Sequence, residues 1–64
     1  MSEPRIVAGD EITAVVTHVK PFGLFVEFDG VPGLVRGAEA AVGDTVRVRV
    51  NEYDPAAARF SATT

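Results

Sequence analysis

The chain has 64 residues, 47% hydrophobic and 23% charged, with six Lys or Arg against nine Asp or Glu and a formal net charge of −3. That length allows one domain with a marginal core, and the composition argues against disorder. With no cysteine and a single histidine, neither a disulfide nor a thiolate or multi-histidine metal site can brace the fold, and no cofactor is expected.

Residues 1–8 read as a short N-terminal tail. They lack the basic and apolar regions of a secretory signal, and no apolar run approaches the ~20 residues of a membrane helix, so a cytoplasmic setting away from membranes is the expectation. From Ile12 to Thr17, β-branched residues dominate, which favours a strand. Leu24 to Phe28 alternates apolar and other residues, with Leu24, Val26 and Phe28 predicted inward. The shorter Gly33–Arg36 follows. Gly37 to Ala41, with its alanines, is the only stretch permissive of a helix, and it is too short for more than a turn or two. In Thr45 to Val50 the valines and arginines alternate strictly, placing Val46, Val48 and Val50 toward a core and Arg47 and Arg49 outward. Arg59 to Ala62 gives a last short strand. Lys20-Pro21, Asp29-Gly30, Val42-Gly43-Asp44 and Asp54-Pro55 supply the turns, Asp29-Gly30 reading as a tight hairpin. Five short strands in this length predict an all-β barrel or sandwich over residues 9–62, with 63–64 as a C-terminal tail, and a five-stranded antiparallel Greek-key barrel fits the count and the length.

The informative stretch is Lys20-Pro21-Phe22-Gly23-Leu24-Phe25-Val26. Phe22 and Phe25 are three apart, which in a regular strand puts them on opposite faces. Gly23 between them permits a change of phase. Both rings then reach one outer surface, where nucleobases stack at about 1–3 kcal/mol each with little sequence preference. The plainer reading buries one or both rings, as phenylalanine usually is.

The order of the pieces resembles the ribosomal S1 RNA-binding domain family. Gly9, Ile12, Ala14, Val16 and Val19 match the spacing of that family's first strand, followed by Phe22-Gly23-Leu24-Phe25-Val26, then Gly33-Leu34-Val35, then Gly43 to Val50, and last Asp54 with Arg59-Phe60-Ser61. The resemblance implies an oligonucleotide-binding (OB) fold. It also implies an RNA surface at Phe22, Phe25, Arg36, Asp54 and Arg59, to which Lys20 adds a nearby cation. The sequence departs from the family pattern in three places. Arg36 stands where a histidine is usual, and arginine also stacks on bases and contacts phosphate. Ala38 replaces a small hydroxyl residue. The connection before Gly43, which often carries a helical turn at one end of the barrel, is short.

The remaining candidates read more plainly. Asp54 either starts the Asp54-Pro55 turn or holds Arg59, and the two roles are compatible. Arg47 and Arg49 fit ordinary solvation better than a phosphate track. His18 reads as a surface residue with no role beyond an edge contact. Catalysis has no support: the glycines are scattered, no nucleophile is coupled to a base, and Glu27 and Asp29 simply flank a turn. The expectation is a monomeric, non-enzymatic module that binds single-stranded RNA, or single-stranded DNA, weakly and with low sequence specificity. Its acidic balance works against a polyanion, because phosphate neutralisation supplies much of such affinity. The alternative is a protein-interaction module docking on a basic partner such as a ribosomal or RNA-processing protein.

Overall fold

The computed structural model of the protein describes residues 6–64. Five strands form: β1 (Glu11–Lys20), β2 (Gly23–Phe28), β3 (Val31–Arg36), β4 (Thr45–Asp54) and β5 (Arg59–Thr63). They close into a barrel in the order β1-β2-β3-β5-β4. β1 is long enough to serve both edges: residues 11–15 pair with β4 and residues 15–20 pair with β2.

The sequence suggested an antiparallel barrel throughout, and the structure departs from that at one pairing. β3 and β5 run parallel, with Gly33 opposite Phe60 and Arg36 opposite Thr63, while the other four pairings are antiparallel. The reason is geometric. Directions cannot alternate all the way around a closed ring with an odd number of strands, so at least one neighbouring pair must agree. Here the seam falls between β3 and the strand that returns after the β4–β5 hairpin. The helix-permissive stretch from Gly37 contains no helix. It forms a bend and a turn tied by the Asp44 carboxylate, which accepts from the Ala41 amide at 3.0 Å.

The alternating pattern places Ile12, Ala14 and Val16 of β1 against Leu24, Val26, Val35, Val48 and Val50 in a dry core. Phe28 and Val46 are only half-buried at its margin, although the alternation is kept. Ile6, within the stretch expected to be a tail, is buried against the same core, and the Gly9 amide donates to the Val50 carbonyl at 2.7 Å. Phe60 fills the inner face opposite Gly33. A Cβ at Gly33 would strike the Phe60 ring, so this glycine is a packing requirement. Asp29 and Gly30 both adopt positive φ (54° and 79°), as a two-residue hairpin between Phe28 and Val31 demands.

Two bulges set which side chains face outward in the second half of the long strands. Val16 opposes Val26 but His18 opposes Phe25, so Thr17 is the extra residue in β1. Val50 opposes Ala62 but Glu52 opposes Ser61, so Asn51 is the extra residue in β4. After each bulge the alternation inverts.

Candidate functional site

The bulge at Thr17 brings His18 onto the outer face beside Phe25. From there a single cross-strand row runs around the barrel: His18 on β1, Phe25 on β2, Leu34 on β3, Ser61 on β5 and Glu52 on β4. Phe22 lies in the turn just before β2. These residues, with Thr17, Pro32, Asp54 and Arg59, line an open groove of about 720 Å³.

Gly23 makes the aromatic pair possible. Its φ is +156°, and a Cβ there would come within 2.5 Å of the Val35 carbonyl oxygen. The close approach of β3 thus excludes any side chain, and the chain turns through Gly23 so that Phe22 stands out of the strand. Phe22 is 58% exposed and Phe25 is half-buried. Their ring centroids are 6.0 Å apart at 64°, an edge-to-face arrangement. Neither ring is sealed in the core, so the plainer reading of the two phenylalanines is set aside.

His18 continues the aromatic row. Its ring meets Phe25 at 6.1 Å and 74°. The Thr17 hydroxyl donates to the Phe25 carbonyl at 3.2 Å, and the same oxygen lies 3.2 Å from His18 Nδ1. Lys20 Nζ sits 5.9 Å from the Phe25 centroid, at the edge of cation–π range.

The other candidate residues occupy flanking rows. Arg59, at the start of β5, lines the groove opposite Asp54 in the β4–β5 register. Asp54 Oδ1 accepts from the Ala56 and Ala57 amides at 3.0 and 3.3 Å, so its carboxylate closes the loop before Arg59. No ion pair joins Asp54 to Arg59 among the described residues; Asp54 acts here through the turn. Arg36 is exposed on the outer face of β3, two residues beyond Leu34, and lies outside the groove lining. It stands in the next cross-strand row, with Thr63 and then Arg49. The groove row is therefore flanked by Arg59 on one side and Arg36 on the other, each offset by roughly 7 Å along its strand.

Arg47 and Arg49 project from the outer face of β4 and both contact Glu11, at 3.3 and 3.8 Å. Lys20, Arg36 and Arg59 make no ion pair among the described residues. Glu52 and Asp54 contribute two carboxylates to the groove lining against the single cation Arg59.

The sequence reading put His18 at the surface with no more than an edge contact, and did not assign it, Leu34, Ser61 or Glu52 to this groove. Strict alternation from Ile12 would have pointed His18 inward, and no residue type at Thr17 or Asn51 announces a bulge.

Comparison with known proteins gives the arrangement a family. The model of the S1 RNA binding domain matches residues 5–64. No curated protein matches the sequence. The fold is similar to an uncharacterized protein, MJ1198, of Methanocaldococcus jannaschii, with a TM-score of 0.81 and 22% identity over 92% of each chain. It is also similar to GSP13 of Bacillus subtilis, with a TM-score of 0.80 and 25% identity over 92% of this chain and 55% of that one. A chain in the a/eIF2alpha–aDim2p–rRNA complex of Pyrococcus horikoshii OT3 aligns with a TM-score of 0.76 and 17% identity, covering 95% of this chain and 44% of that one. This chain thus spans about half the length of the latter two. The barrel, the match along nearly its whole length and the outward-facing Phe22 and Phe25 agree: the chain belongs to the S1 RNA binding domain family, a nucleic-acid-binding module.

Proposed function

We propose that the groove binds single-stranded RNA weakly and with low sequence specificity, by stacking bases on Phe22 and Phe25 and meeting phosphates with Lys20, Arg36 and Arg59. The observation that carries this reading is the Phe22–Phe25 pair, 6.0 Å apart on the outer face with Phe22 58% exposed. Every base has an apolar face, so stacking tolerates any sequence. Two rings supply roughly 2–6 kcal/mol before ordering costs are subtracted. Three cations neutralise about three phosphates, for a salt slope near −2 on a single strand. Against this stand Glu52 and Asp54 in the groove and a net charge of −3. The balance gives dissociation constants of about 10 μM to 1 mM for a short oligonucleotide. Such a module suits a tethered or accessory place beside ribosomal or RNA-processing proteins.

The test is an amide-shift titration of the protein with a short single-stranded oligonucleotide at low salt. Shifts are expected at Phe22, Phe25, Leu34, Arg36 and Arg59, fading as salt rises. A Phe22→Ala, Phe25→Ala double variant should stay folded and lose these shifts. An oligonucleotide that moves no resonance at millimolar concentration would end the RNA reading in favour of a protein ligand for the same groove.

A further inference from the structure

The Thr17–His18 pair carries an inference that rests on the groove binding RNA and goes on to what that RNA must contain. A threonine hydroxyl has one hydrogen. The Phe25 carbonyl can only accept, so the Thr17 hydrogen is committed to it at 3.2 Å. The same hydroxyl oxygen lies 3.2 Å from His18 Nδ1. Both contacts are hydrogen bonds only if Nδ1 carries the proton and donates it to Thr17. In the neutral ring Nε2 is then the unprotonated nitrogen, an acceptor without a hydrogen. The Phe25 ring, edge-to-face at 6.1 Å, holds the imidazole in place. His18 lines the groove, and with Nδ1 engaged on Thr17, Nε2 is the ring's remaining polar atom toward a ligand.

We infer that His18 Nε2 is a ribose-reading acceptor that takes a hydrogen bond from a 2′-hydroxyl of a nucleotide stacked at Phe25, making the groove selective for RNA over DNA. The chemistry narrows the choice. An acceptor at this point gains nothing from phosphate oxygens or base carbonyls, which are acceptors themselves. Base amino groups differ from base to base, and a contact with them would impose a sequence preference. The 2′-hydroxyl is the one donor that every ribonucleotide carries and no deoxyribonucleotide does. Lys20, on the same strand and face two residues on, lies within 5.9 Å of the Phe25 centroid and suits the adjoining phosphate.

The experiment compares an oligouridylate with the oligodeoxyuridylate of the same length, about eight nucleotides, within the ~4–16-nucleotide site sizes of such barrels. The wild-type chain should prefer RNA by roughly two- to tenfold, the range a single hydrogen bond supports. His18→Phe keeps a ring against Phe25 and removes the acceptor; it should still bind RNA, with the RNA-to-DNA ratio falling to about one. Thr17→Val frees the imidazole and should lower the ratio part of the way. Imidazole ¹⁵N spectra should show the Nδ1–H tautomer in the wild-type chain and a mixture in Thr17→Val. A His18→Phe variant that keeps the wild-type ratio overturns the inference while leaving the stacking reading intact, as does equal binding of the two oligomers by the wild-type chain. Failure to bind either oligomer would remove the stacking reading and this inference with it.

Discussion

The groove face and the β1–β4 face of this barrel are made from the same materials, alternating strands with arginines outward, yet they differ in two respects. On the β1–β4 face, Arg47 and Arg49 share one carboxylate, that of Glu11, and Val15 is the exposed apolar side chain of β1 there. On the groove face and its flanking rows, Lys20, Arg36 and Arg59 have no ion-pair partner among the described residues, and Lys20 lies 5.9 Å from Phe25, the middle of three neighbouring rings. Cations alone therefore do not set the groove face apart from the β1–β4 face. The difference lies in aromatic surface held outside the core next to cations without an ion-pair partner among the described residues.

The largest way to break that distinction is to deny the groove its geometry. Gly23→Ala forces a Cβ against the Val35 carbonyl. It should cost about 1–3 kcal/mol of stability, the usual penalty for overpacking, and abolish RNA binding by displacing Phe22 and loosening β3. Thermal melts and an anisotropy titration would read the two effects, and a variant with unchanged stability and binding would mean that the close approach of β2 and β3 does not set the rings. Next come the rings singly. Phe22→Ala should lose about 1–3 kcal/mol of binding, some 5- to 150-fold, with little change in melting temperature because the side chain is mostly exposed. Phe25→Ala should lose a similar amount and also lower the melting temperature, since its ring is half-buried under His18 and Phe22. Equal stability losses in the two variants would contradict the observed difference in burial.

Much of this was legible before any coordinates. The strict alternation of Thr45 to Val50 and the Asp29-Gly30 hairpin fixed strand phase and one turn correctly, because local sterics and burial act over two to four residues. The exposed placement of Phe22 followed from Gly23, whose missing Cβ is visible in the sequence even though the Val35 carbonyl that requires it is not. That some neighbouring pair must run parallel follows from closing five strands and was overlooked; that the seam falls at β3–β5 was not legible, since it depends on which strands meet when the ring closes. Nor were the bulges at Thr17 and Asn51, which depend on how β1 and β4 curve against their partners. His18 was read as a surface residue, but its place beside Phe25 was not legible, because its cross-strand partner is decided by one extra residue in the strand before it. Of the two roles open to Asp54 in the sequence, the turn is the one seen, through the amides of Ala56 and Ala57.

A smaller effect separates the cations of the two faces. Arg59→Gln should lower RNA affinity several-fold and reduce the magnitude of the salt slope by about 0.7, the loss of one phosphate contact on a single strand. Arg49→Gln should leave both nearly unchanged, because its charge is already opposed by Glu11 at 3.8 Å. Slopes from titrations at several salt concentrations decide the matter, and equal losses from the two substitutions would show that the ion pairs do not shield the β4 arginines.

The smallest effect tests the same shielding from its other side. Glu11→Gln removes the carboxylate that Arg47 and Arg49 share, at 3.3 and 3.8 Å. Exposed ion pairs of this kind contribute about 0–1 kcal/mol, so the fold should barely notice. The net charge rises from −3 to −2, and Arg47 and Arg49 become available, Arg49 on the row that runs through Thr63 to Arg36. A single strand leaving the groove past Arg36 would then meet Arg49 two strands on, about 10 Å away. RNA affinity should rise by a factor of roughly two to three at low salt, and the gain should vanish at high salt as screening takes over. The gain should also require Arg36, so that Glu11→Gln made together with Arg36→Gln shows none of it. An increase that survives high salt would point to a rearranged groove instead of released charge.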